Sequence, residues 1–395
     1  MQFPARFADL PEYAFPRLRA LLAGIPPGGP ELAMTIGEPQ QPVPPLVAEI
    51  IARHAAEFGR YPPNDGAPEL IEAIAGWIAR RHGVTVDPGS QILALNGTHE
   101  GLFNAALALS PEDKRGARPA ILVPNPFYQA YGAGALAAGA ELVPVPATAE
   151  TGFLPDYAAL PASLLDRVSL AFLCSPSNPQ GAVASEAYLA GLVALAERHD
   201  FRLLCDECYS EIYRDTPPPG ALAAAVGADP ERVLVFNSLS KRSSVPGLRS
   251  GFAAGGPASI AAMKRLRAYG GAPLPLPLQR AATALWGDER HVGATRTLYN
   301  AKFTVADGVL RDFPGYVRPE GGFFLWLPVG DGEAAAVRLW RETGVQVLPG
   351  GYLGRATADG PNPGDGYVRV ALVAEAAAVE RGLVAIRDTL SERVG

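Results

Sequence analysis

The chain has 395 residues, 48% hydrophobic and 19% charged, enough for a large core and two domains, since single cores stop growing near about 250–300 residues. Lys and Arg number 34 against 40 Asp and Glu, a net charge of −6 spread along the chain, so no basic face points to nucleic acid or an anionic membrane. A small-molecule partner is expected.

Arg6, Asp9, Glu12, Arg17 and Arg19 interrupt the N-terminus and argue against a signal peptide, and no later run approaches the ~18 apolar residues of a membrane span. A cytoplasmic protein is expected. Cys174, Cys205 and Cys208 are too few and too odd in number for a disulfide framework, so reduced thiols are expected. Cys205 and Cys208 form a C-x-x-C, but without a histidine beside them the ligands of a zinc site are missing, and no metal is expected.

In chain order, residues 1–30 read as an arm: a short amphipathic piece (Tyr13, Phe15, Leu18, Leu21, Leu22) ending in a Gly/Pro run that cannot continue a helix. Met34-Thr35-Ile36-Gly37 follows as a short extended segment, where Gly37 either lets backbone approach a ligand closely or is an ordinary strand-to-turn glycine. Helical periodicity spans 46–58 and, after a Pro/Gly loop carrying the lone aromatic Tyr61, 68–82, stopping at Gly83. Strands are expected at 91–95, 120–123, 141–145, 168–174, 202–205, 233–236 and 251–254. These short apolar runs lack alternation, as in a mainly parallel sheet covered on both faces, so the class is α/β. After the Pro-rich stretch 273–277 a helix-rich segment and apolar runs at 322–327, 345–348 and 367–372 suit a smaller α+β unit. The expected division is 1–44 as arm and part of the small domain, 45–277 as the large domain and 278–395 as the small C-terminal domain.

Polar residues cluster at the carboxyl ends of these strands, the edge where open α/β sheets bind ligands. Lys241 follows the apolar run Val233-Leu234-Val235-Phe236 and stands among Ser238, Ser240 and, eight positions on, Arg249. Hydroxyls and a guanidinium bind a dianion and an amine condenses with an aldehyde, so the set suits pyridoxal phosphate, which carries both groups. The same window also reads as a strand end with a polar turn and two solvated cations. Asp206, ending an apolar strand, needs pairing, for which a pyridinium N–H is suited, and it equally suits a helix N-cap. Tyr209, three residues on, and Asn178, in a Ser-Asn-Pro turn, are polar partners for a ring hydroxylate. Thr98 and His99 open a helix after Gly97, which offers free N–H groups to a phosphate or merely a cap. Tyr128 is either a stacking platform or a core aromatic. Arg369 on an apolar strand would be costly without a partner, and a substrate carboxylate is a suitable one. Lys264, Arg265 and Arg267 are candidates for reading a distal substrate group, or a solvated helix face.

Ser177-Asn178-Pro179-Gln180-Gly181, Asp206-Glu207-Cys208-Tyr209, Ser238-Leu239-Ser240-Lys241 with Pro246-Gly247-Leu248-Arg249, and Tyr367-Val368-Arg369 occur together in one order. With them the chain closely resembles the fold-type I pyridoxal phosphate enzymes of the class I/II aminotransferases over nearly its whole length. The resemblance implies a large domain with a mainly parallel seven-stranded sheet between helices, a smaller α+β domain, a homodimer, and pyridoxal 5'-phosphate as cofactor. It implies that Lys241 condenses with the cofactor aldehyde and moves the proton, that Asp206 holds the pyridine nitrogen, and that Asn178 and Tyr209 contact the ring hydroxyl. Thr98, His99, Ser238, Ser240 and Arg249 would bind the phosphate, Tyr128 would stack on the ring, and Tyr61 would reach the neighbouring subunit's phosphate. Arg369, with the backbone of Gly37, would hold the substrate α-carboxylate. The wording around Phe127, Cys208 and Lys241 is similar to bacterial N-succinyldiaminopimelate aminotransferases of lysine biosynthesis, whereas 270–275 departs from the Gly-Cys-x-Met-Ser-Pro-like stretch expected there. The same constellation serves broad-specificity aspartate/aromatic aminotransferases and carbon–sulfur β-lyases. A non-enzymatic regulator would need a DNA-binding segment that residues 1–30 are too short and too weakly basic to form.

Overall fold

The structure, a computed structural model, describes residues 7, 8, 10, 12–358 and 360–391. The N-terminal charges Arg6 and Asp9 lie outside the described residues. All seven expected strands form and join in one sheet, in the order Ile92–Leu95, Gly251–Gly255, Val233–Ser238, Arg202–Asp206, Val168–Cys174, Ala120–Asn125, Glu141–Pro146. Neighbours pair in parallel except at Gly251–Gly255, which is antiparallel to both strands it touches.

The missing alternation has the expected cause. Ala94, Leu203 and Val235 turn to one face, against Trp77, Phe201 and Trp286, while Leu95, Leu204 and Phe236 turn to the other, against Leu102, Tyr131 and Met263. Both faces of the inner strands are covered, so most positions are apolar, with the polar Asn125, Asp206, Asn237 and Ser238 gathered at the carboxyl ends. The helix Pro68–His82 begins on its proline and ends at Gly83, whose φ of 68° is the left-handed conformation that closes a helix at little cost to glycine.

A second core, around Met34, Phe303, Leu339, Val370 and Leu383, lies beside a three-stranded antiparallel sheet of Leu348–Pro349, Tyr367–Ala371 and Phe324–Pro328. A parallel pair, Leu32–Ala33 with Val345–Gln346, ties the N-terminal segment to it. One expectation shifts. The boundary expected at 277/278 cuts the helix Leu276–Gly287, whose Ala281, Leu285 and Trp286 are wholly buried in the large sheet's core, so this helix packs with the large sheet. The arm helix Ala14–Leu22 finds its packing within its own chain, with Ala14 and Leu18 against Leu348 and Tyr352.

Parallel strands deliver their carboxyl ends to one edge, which therefore gathers Gly97, Asn125, Asn178, Asp206 and Ser238. The antiparallel strand brings its amino end to the same edge: Gly251 lies opposite both Leu95 and Ser238, and Arg249 comes just before it. Among the described residues no helix is long and apolar enough to cross a membrane, and no cluster of metal-ligating side chains occurs. The three cysteines are buried and unpaired.

Candidate active site

Lys241 sits on the one-turn helix Leu239–Arg242, which Ser238 caps by accepting from the Ser240 amide at 3.3 Å. Its neighbour Arg242 turns into the core, donating to Leu285 O at 3.0 Å and Glu289 Oε1 at 2.8 Å, which fixes the turn and leaves Lys241 facing a cavity of about 280 Å³. There the Lys241 ammonium donates to the Gly37 carbonyl and stands 5.3 Å from the Phe323 ring centroid. Burial pulls its pKa down to about 8, Arg369 and Arg249 acting in the same sense. A lysine so placed is a nucleophile and a proton carrier near neutral pH.

Asp206 ends the central strand, buried, its Oδ2 accepting from the Tyr131 hydroxyl at 2.7 Å and its Oδ1 from the Cys208 amide at 3.2 Å. Desolvation raises its pKa, and these donors oppose the rise. No cation lies within ion-pair distance among the described residues, so its charge awaits a partner from the cavity. A protonated pyridine nitrogen meets that need.

The helix Thr98–Leu109 presents its amino end to the cavity, and Gly97 before it has φ +85°. A Cβ on Gly97 would fall 2.1 Å from Arg249 Nη2, so only glycine lets the guanidinium close over this helix end. Arg249 is itself in the left-handed region, φ 55°, and donates to Pro246 O at 2.9 Å. Free helix amides, two serine hydroxyls and a guanidinium form a cradle for a dianion. Beside it His99 Nδ1 and the Tyr128 hydroxyl are 2.5 Å apart, and burial, aided by Arg249, favours the neutral imidazole.

Arg369 projects from the small sheet across the same cavity. It donates to Asn178 Oδ1 at 3.0 Å and to Thr35 O at 2.8 Å, and its carbon Cζ lies 4.2 Å from the Phe324 ring centroid. Among the described residues its buried Nε has no partner, and burial lowers its pKa to about 10. A desolvated guanidinium with an unmet donor is fitted to a carboxylate ligand. Tyr209, its phenol kept protonated by burial, packs edge-on against Phe323 and Phe324 beside it.

The structure thus brings Gly37, Thr98, His99, Tyr128, Asn178, Asp206, Tyr209, Ser238, Ser240, Lys241, Arg249 and Arg369 to one cavity. Tyr61 is the exception: it lies outside, fully exposed. Lys264, Arg265 and Arg267 also lie away from the cavity. Arg267 is not on a solvated face either: it is buried, paired with Glu100 at 2.9 Å and bonded to the carbonyls of Asn64 and Ala94. Sequence reasoning missed Tyr131, the donor to Asp206. Its signal was the spacing Tyr128-x-x-Tyr131 at the start of a helix, which places both rings on one side. It also missed Phe324 beneath Arg369 and the wall supplied by Tyr13 and Phe15, which only the tertiary fold brings near.

Comparison with known proteins agrees with this geometry. The sequence pattern of "Aminotransferase class I and II" matches residues 30–386. An LL-diaminopimelate aminotransferase of Desulforudis audaxviator is 33% identical over 93% of this chain and 92% of its own. The Streptomyces rimosus transaminase OxyQ, which acts on 4-dedimethylamino-4-oxo-anhydrotetracycline, is 34% identical over 93% of this chain and 96% of its own. Among solved structures, an aminotransferase from Neisseria meningitidis superposes with a TM-score of 0.93 at 38% identity, covering 98% of this chain and 100% of that one. The chain belongs to the class I and II aminotransferase family and is a pyridoxal phosphate-dependent transaminase.

Proposed function

We propose that the enzyme is an N-succinyl-LL-2,6-diaminopimelate:2-oxoglutarate aminotransferase of lysine biosynthesis, acting as a cytoplasmic homodimer. The observation that carries the reading is Arg369: a buried guanidinium with an unmet donor, 3.0 Å from Asn178 and across the cavity from Lys241, suits an α-amino acid held by its carboxylate.

Thr98, His99, Ser238, Ser240 and Arg249 would hold the cofactor phosphate, Tyr128 would flank its ring, Asp206 its nitrogen, and Asn178 and Tyr209 its hydroxyl. Pyridoxal phosphate, when bound, supplies an electron-poor ring that accepts the electrons released as the substrate Cα loses its proton. Asp206, steadied by Tyr131, keeps the ring nitrogen protonated. Arg369 and the Gly37 backbone orient the α-carboxylate so that the Cα proton faces Lys241 Nζ. Lys241 takes that proton and returns one on the other side of the transfer, as general base and then acid. Tyr61, fully exposed on one subunit, would complete the neighbour's phosphate site. Light scattering should then give about twice 41.4 kDa, and a monomer with full activity would exclude that role.

A second reading, free LL-diaminopimelate as substrate, is favoured by the names of relatives about 30–33% identical. Aspartate/aromatic transamination and β-lyase chemistry begin with the same Cα deprotonation. The test is steady-state turnover of the succinylated and free diamino acids with 2-oxoglutarate, measuring glutamate formed. The proposal requires parallel double-reciprocal lines and preference for the succinylated donor. Preference for the free diamino acid would replace it with the second reading, and release of pyruvate and ammonia from cysteine-like substrates with the lyase.

A further inference from the structure

Arg355 is a cation that the chemistry above does not use. Its backbone is clamped to the carboxyl end of the strand Ala120–Asn125, next to the sheet's edge strand: wholly buried Asn125 donates from Nδ2 to Arg355 O at 2.8 Å and accepts from the Arg355 amide at Oδ1, 3.0 Å. Two residues on, the Phe127 amide donates to Leu353 O at 2.9 Å, and Phe127 and Leu353 both line the cavity. Gly354 makes the clamp possible, since a Cβ there would lie 2.2 Å from Asn362 Oδ1 and 2.9 Å from Asn125 Oδ1.

The Arg355 guanidinium carbon lies 6.0 Å from the centroid of the Phe127 ring. Among the described residues no carboxylate lies within ion-pair distance of it, although the side chain is half-buried and its burial lowers the pKa. The cavity's own cations are committed elsewhere: Lys241 and Arg249 at the cofactor end, Arg369 at the α-carboxylate. The wall formed by Tyr13, Phe15, Ile36, Leu348 and Leu353 carries no charge. An arginine whose backbone is clamped, whose side chain is partly desolvated and without an anion, and whose guanidinium stands beside the cavity residue Phe127 without itself lining the cavity, is an unfilled carboxylate site.

We propose that Arg355 is a specificity-determining residue that pairs with the distal carboxylate of the substrate, so that the enzyme selects α-amino acids whose second acidic group stands at least as far from Cα as glutamate's, which excludes the shorter aspartate. The inference rests on the transaminase reading and deepens it. It holds for glutamate as amino donor and for either diaminopimelate form, because all carry a carboxylate beyond Cα.

The test compares wild-type, Arg355→Ala and Arg355→Lys holoenzyme with glutamate and with alanine as donors, and measures binding of pimelate and hexanoate by calorimetry. Arg355→Ala should lower kcat/KM for glutamate roughly 100-fold, mainly through KM, and that for alanine only a few-fold. It should also abolish the preference for pimelate over hexanoate, which Arg355→Lys should partly restore. Equal losses for glutamate and alanine would show that the arginine only positions the loop, and unchanged glutamate kinetics would show that it reads nothing. Either overturns the proposal. Failure of wild-type enzyme to use a diaminopimelate would instead sink the substrate assignment and leave this comparison intact.

Discussion

Asp206 and Lys241 are both held out of water, and burial drives each toward its uncharged form, raising the acid and lowering the amine. Tyr131 opposes this at Asp206 by donating a 2.7 Å hydrogen bond that favours the carboxylate. Removing it in Tyr131→Phe should raise the Asp206 pKa and move the acid limb of the kcat–pH profile to higher pH, with about a tenfold loss of turnover on that limb, the size of one charge-assisted hydrogen bond. A profile that keeps its shape would show that Tyr131 is only packing. For Lys241, a folded pKa of about 8 against an ordinary 10.5 means that the unfolded chain binds more protons between those values. Stability of the cofactor-free protein should therefore rise with pH across that window, while the full cost of burying the amine persists below pH about 8. Lys241→Met, which keeps the volume without the charge, should melt several degrees higher than wild type at pH 7 and lose that advantage by pH 10.5. Equal melting temperatures at pH 7 would contradict a desolvated lysine.

At the scale of elements, the site depends on one helix end and one reversed strand. Because Gly251–Gly255 runs against its neighbours, Arg249 reaches the edge where the other strands end, and Gly97 leaves room for it above the helix Thr98–Leu109. Gly97→Ala must both strain a φ of +85° and displace Arg249, so the dissociation constant for pyridoxal phosphate should rise at least tenfold, measured by equilibrium dialysis, with little change in far-UV circular dichroism. Unchanged affinity would remove Arg249 from the phosphate site.

These elements also show what was legible beforehand. The seven strands were readable because a doubly covered sheet makes most strand residues apolar, and Gly83 marked its helix end through a conformation glycine adopts freely. Most of the cavity residues were readable because Thr98, Asn178, Asp206, Ser238 and Lys241 end or follow such strands, whereas Arg249 precedes one and Arg369 lies on the small sheet. The proline-rich run 273–277 suggests a boundary, whereas the helix Leu276–Gly287 that begins within it packs onto the large core through Trp286, a contact its sequence position does not reveal. Arg267 looked like part of a solvated charge run because its partners, Glu100 and two carbonyls, are distant in sequence. Tyr131 escaped for the same reason: its hydroxyl meets Asp206 from 75 residues away.

For the molecule as a whole, two cores meet at one cavity, the large sheet presenting Lys241 and Asp206 and the small sheet presenting Arg369. On the proposed reading substrate selection depends on both: the small sheet would fix the α-carboxylate through Arg369, the large one the reacting nitrogen through Lys241, and Arg355 the distal group. The most direct test is the visible absorbance of the purified protein as N-succinyl-LL-2,6-diaminopimelate is added, with glutamate and aspartate in parallel. The account predicts a band of lysine-bound pyridoxal phosphate that the succinylated donor and glutamate bleach and aspartate hardly affects. Equal bleaching by aspartate would contradict the substrate assignment, and absence of the band in cofactor-saturated protein would contradict the role of Lys241.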